Sequence, residues 1–214
     1  MSMELMDEHE QGERVRAWLR ENGASIVTGI AIGIAAIGGW QWWQAREAHR
    51  SVESSTQYVA LASAIEAGDR DLAEQLSKVL RTEYASTPYA SLAALAWSDQ
   101  QIAAGETQAA VETLQQAQAE AGDPLLAELI SVRLARAQLA AGNAEAALAL
   151  VSSATRGSAL NAKGDALLAL GRRDEAVTAY QAALEDLDNN LPTRRLVELK
   201  LLDLGVKSES EAQG

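Results

Sequence analysis

Residues 163–180 read KGDALLALGRRDEAVTAY. The first half carries apolar side chains at Ala166, Leu167, Leu168 and Leu170 and stops at Gly171; after two arginines and two acids, a second helical run opens at Ala176. A glycine just past an apolar helical run closes the helix in a left-handed conformation at little cost. Acidic residues that follow shortly after it favour the positive end of the next helix. The stretch predicts a helical hairpin that turns at Gly171.

The same arrangement recurs upstream. LASAIEAGDRDLAEQL (61–76) turns at Gly68, WSDQQIAAGETQAAVETL (97–114) at Gly105 and RLARAQLAAGNAEAALAL (133–150) at Gly142, so the glycines are spaced by 37, 37 and 29 residues. Five residues after each glycine stands an alanine: Ala73, Ala110, Ala147 and Ala176. A small side chain at a fixed place in every second helix lets the two helices of a hairpin cross at close range. Self-similarity at this period predicts a solenoid of stacked hairpins.

These units resemble tetratricopeptide repeats, whose pattern places small residues at the eighth, twentieth and twenty-seventh positions and a large one at the twenty-fourth. Gly164, Ala176, Tyr180 and Ala183 fill those places in the last unit; Ala135, Ala147, Val151 and Ala154 do so in the third, and Ser98, Ala110, Leu114 and Ala117 in the second. The first unit is degenerate, with Leu61, Ala73, Ser77 and Leu80. Leu191 to Leu204 (LPTRRLVELKLLDL) reads as a terminal helix capping the solenoid. Phe is absent and Trp and Tyr are few, so the composition also favours helix over strand. The expected fold class is all-α.

Upstream of the repeats, residues 24–43 read ASIVTGIAIGIAAIGGWQWW, with no charge between Glu21 and Arg46. At 1.5 Å per residue this helix spans roughly 30 Å, the thickness of a hydrocarbon core. Ile26 lies in its first third, Gly29 and Gly33 form a G-x-x-x-G face, and Trp40, Trp42 and Trp43 cluster at one end as an interfacial anchor. Bulky tryptophans stand where a cleavable signal would need small residues. The stretch reads as a retained transmembrane helix contacting the lipid bilayer. Arg14, Arg16 and Arg20 precede it, whereas Arg46 and Arg50 follow, which points the N-terminus into the cytoplasm.

The chain thus divides into a short cytoplasmic segment (1–23), a transmembrane helix (24–43), a juxtamembrane helix or linker (44–56), a repeat domain (57–205) and a flexible tail (206–214). The net charge of −12 disfavours nucleic acid, and absent cysteine removes disulfides and thiolate chemistry. His9 and His49 flank the span on opposite sides, so no Ser-His-Asp or zinc site assembles from them. No phosphate-binding glycine loop is present either. No catalysis, cofactor, metal or small-molecule substrate is expected. The remaining functional surface is the concave face, lined by the first helix of each hairpin. There Tyr58, Leu95, Val132 and Asn161 share one register position and Asp99, Arg136 and Asp165 another, and these seven form the candidate protein-binding groove.

The order of these parts resembles the bacterial YfgM family over nearly the whole chain. That resemblance implies a single-pass inner-membrane protein with its repeat domain in the periplasm. It further implies a non-catalytic ancillary subunit of the SecYEG translocon and a partner of periplasmic chaperones. A membrane-tethered scaffold for envelope assembly or stress signalling is the alternative expectation.

Overall fold

The computed structural model describes residues 3–188 and 190–206, with side chains from residue 12 onward. Among the described residues there are nine helices and no strand. They are α1 (Met3–Ala67), α2 (Arg70–Glu83), α3 (Pro88–Ala103), α4 (Thr107–Glu120), α5 (Pro124–Ala140), α6 (Ala144–Leu150), α7 (Gly157–Ala169), α8 (Arg173–Asp186) and α9 (Pro192–Asp203). The all-α fold is as expected. The tail reading for 206–214 falls, Val206 apart, outside the described residues, as does the side chain of His9.

Two units divide near Ser51, residues 1–51 and 52–214, and α1 runs through the division. The boundaries read from the sequence at 23/24, 43/44 and 56/57 all lie inside this one helix. In the first unit, the apolar stretch of α1 is long enough to cross a membrane, and none of it is buried. Ile30, Ile32, Ile34 and Ile37 are all more than half exposed. A helix satisfies its own backbone groups, which is what a hydrocarbon environment demands. The Thr28 hydroxyl donates to the Ala24 carbonyl at 2.8 Å, which hides its polarity along the helix. At the other end of the stretch Trp40 and Trp43 lie 5.4 Å apart, and the Arg46 guanidinium sits 5.6 Å from the Trp42 ring.

In the second unit the hairpins are the C-terminal turns of α1 with α2, α3 with α4, α5 with α6, and α7 with α8. Gly68, Gly105, Gly142 and Gly171 all adopt φ between +72° and +83°. Each donates its N–H to the carbonyl three residues back, and the next residue donates to the carbonyl five back: Gly171 to Leu168 and Arg172 to Leu167, both at 2.9 Å. This double closure satisfies the orphan carbonyls of the first helix. The residue after the glycine is also the N-cap of the second helix, and its carbonyl receives the N–H of the repeated alanine. Those bonds are Ala73 to Asp69, Ala110 to Glu106, Ala147 to Asn143 and Ala176 to Arg172, at 3.0–3.1 Å. All four alanines are buried at the hairpin crossing.

The fourth hairpin shows how the eighth and twenty-fourth positions fit. Tyr180 is fully buried, and a Cβ added to Gly164 would collide with its ring. The third hairpin is the short one, because α6 has seven residues where α2, α4 and α8 have fourteen. Its loss of two turns accounts for the 29-residue spacing. Two shallow grooves flank the shortened helix. One of about 340 Å³ lies against Gln118, Leu134, Gln138 and Leu150, the other of about 280 Å³ against Ser131, Val132, Leu150 and Thr155.

Candidate protein-binding face

The first helices of the hairpins place the seven candidate residues unequally. Leu95, Val132 and Asn161 are buried, and Leu95 and Val132 belong to the apolar clusters between successive hairpins. Their shared register position points into the wedge between neighbouring units, so this part of the expected groove is packing. Tyr58 of the same row is only half-buried, with its ring 5.8 Å from that of Tyr89.

The second row reaches solvent and is charged. Asp99 on α3 pairs with Arg133 on α5 at 3.2 Å. Arg136, one turn further along α5, is half-buried. Burial lowers its pKa from the ordinary guanidinium value; Arg133 reinforces this, and Asp165 opposes it. Asp165 on α7 accepts from the Tyr180 hydroxyl at 2.6 Å and from Lys200 Nζ on α9 at 2.5 Å. Lys200 also donates to Asn161 Oδ1 at 2.9 Å and lies 5.3 Å from the Tyr180 ring. The terminal helix therefore fills the far end of the row with its own ammonium. Burial and the Asp165 hydrogen bond push the Tyr180 phenol above its ordinary range, so it remains a protonated donor.

Sequence reasoning passed over Arg133 and Lys200. It also passed over an aliphatic row one turn from the charges. Ile65, Ile102, Leu139, Leu168 and Leu202 each stand three residues before a positive-φ glycine, whose N–H their carbonyl accepts. Ile102, Leu168 and Leu202 are exposed, and Ile65 and Leu139 half-buried. The constant offset from the glycine was the signal that could have found this row. Charges of alternating sign beside repeated aliphatic side chains suit recognition of another polypeptide. Among the described residues no cluster of three metal-ligating side chains comes together.

These features define the class: an all-helical repeat protein whose first helix is long and apolar enough to cross a membrane. The chain belongs to the tetratricopeptide repeat-like domain family, whose sequence model matches residues 16–206. The resemblance to the YfgM family is borne out by relatives described as ancillary SecYEG translocon subunits. The one from Escherichia coli K12 is 28% identical over 210 residues, covering 95% of this chain and 100% of that protein. Those from Haemophilus influenzae and Aggregatibacter actinomycetemcomitans are 24% and 26% identical, covering 83% and 93% of this chain and 89% and 98% of theirs. A crystal structure of nearly identical TPR-like repeats from Podosopora anserina superposes with a TM-score of 0.57 at 21% identity, over 73% of this chain and 86% of that one. This last likeness concerns the fold alone.

Proposed function

We propose that this protein is a non-catalytic, protein-binding subunit of the SecYEG translocon that links translocated chains to periplasmic chaperones. The observation that carries the reading is the match with relatives described as ancillary SecYEG translocon subunits, the Escherichia coli one spanning 95% of this chain and 100% of that protein. In this reading residues 24–43 anchor the chain in the inner membrane, with residues 1–23 in the cytoplasm and residues 57–205 in the periplasm. The basic residues Arg14, Arg16 and Arg20 ahead of the span support that orientation. Partner contacts fall on Tyr58, Asp99 and Arg136, with the exposed edge of Asp165 and the adjoining aliphatic side chains Ile102, Leu139 and Leu168. Leu95, Val132 and Asn161 support that face from beneath.

The test is crosslinking in native membranes with identification of the adducts, alongside reporters fused at each terminus. The reading expects translocon and periplasmic-chaperone adducts, a C-terminal reporter active only in the periplasm and an N-terminal one active only in the cytoplasm. Adducts confined to envelope-assembly or signalling proteins would favour a tethered scaffold instead. A reversed reporter pattern would remove the chaperones from the partner list.

A further inference from the structure

The terminal helix α9 is built like the first helix of a hairpin. Gly205 has φ +75° and donates to the Leu202 carbonyl at 2.8 Å, and Val206 donates to the Leu201 carbonyl at 2.9 Å. In the other four units this same closure launches a second helix that covers the first. The sequence after Gly205, VKSESEAQG, does not repeat that arrangement: Ser210 stands where every other hairpin buries an alanine, and nothing after Val206 is more apolar than Ala212. One face of α9, with Val197 and Leu201, is buried against the preceding hairpin. Its outer face carries Leu196, Leu199 and Leu202, exposed at 49%, 52% and 51%.

That face is self-complementary. Leu199 lies at its centre, with Leu196 and Leu202 three residues to either side and Arg195 and Asp203 four to either side. At 100° per residue all five fall within an arc of roughly 120°. Arg195 and Asp203 are both exposed and have no ion-pair partner among the described residues. If two copies lie antiparallel about a two-fold axis at Leu199, the leucines interdigitate. Arg195 of each copy then comes level with Asp203 of the other, so the pairing forms two opposite-charge contacts at once. A parallel arrangement would set like charges side by side. We infer that the outer face of α9 docks a second copy of this chain, helix against antiparallel helix, centred on Leu199.

A contact made by one helix is small, and confinement of both copies to one membrane would raise their effective concentration. The assay is therefore made on the full-length protein in its membrane. The chain has no cysteine, so a single introduced one reports its own proximity to its symmetry mate. Under mild oxidation Leu199→Cys is expected to give a disulfide-linked dimer severalfold above Leu125→Cys, a somewhat more exposed site on α5 that measures random collision. In the Leu199→Cys background, Arg195→Asp or Asp203→Arg alone should cut the dimer severalfold by setting like charges level, and the double exchange should restore it. A Leu199→Cys yield no higher than that of Leu125→Cys would overturn the inference. So would linkage of residue 199 to a different protein, or a double exchange no better than its singles.

Discussion

Tyr180→Ala is expected to destabilise the repeat domain by about 3–5 kcal/mol, a large share of the roughly 5–15 kcal/mol that holds a domain folded. The ring is fully buried, fills the space opened by Gly164, and packs with Ala176, Ala183 and Val197. Its hydroxyl donates to Asp165, which also holds Lys200, so the truncation loosens the attachment of α9 as well as the hairpin. Tyr180→Phe keeps the ring and removes the charged hydrogen bond, for an expected cost of about 1.5–3 kcal/mol. Denaturant unfolding of the full-length protein in detergent, followed by circular dichroism, measures both. A Tyr180→Ala midpoint equal to that of Leu125→Ala, a truncation at an exposed site, would mean that the hairpin register is misread.

Ile30→Arg combined with Ile34→Arg is expected to release the protein from the membrane. Each charge near the centre of a span costs about 2.5–3.5 kcal/mol on insertion scales, so the pair opposes insertion by roughly 5–7 kcal/mol. Both isoleucines are more than half exposed and one turn apart, so the new charges would share one lipid-facing side. Leu at the same two positions should leave the fractionation unchanged. The measurement is the share of protein that resists alkaline extraction of membranes. Full retention of the arginine variant would show that residues 24–43 do not carry the attachment.

The hairpins were legible because their signals are local. A glycine that closes one helix, a capping residue beside it and an alanine four residues further on are fixed by backbone hydrogen bonds within one turn. The short α6 appeared only as an anomalous spacing, since nothing in AEAALAL marks a helix of seven residues. The concave face was half legible for a related reason. Register shows that Leu95, Val132 and Asn161 share a direction, but the angle between successive hairpins decides whether that direction meets solvent or the next unit. Lys200 was invisible because its partners Asn161 and Asp165 lie 39 and 35 residues away. The uninterrupted course of α1 has a plainer origin, since no proline occurs before Pro88.

We propose that the membrane span anchors the protein while the concave face of the repeats selects its partners. Two full-length variants, compared in native membranes by recovery of translocon subunits and periplasmic chaperones, test this division of labour. One carries Arg136→Glu and Ile102→Asp, which alter the charged and aliphatic rows at accessible positions and leave the Asp165–Lys200–Tyr180 group intact. The other replaces residues 24–43 with an unrelated apolar helix of equal length. The first variant is expected to stay in the membrane and lose its partners severalfold, whereas the second keeps them. Full recovery by the first together with loss by the second would place the interaction in the membrane and contradict the claim.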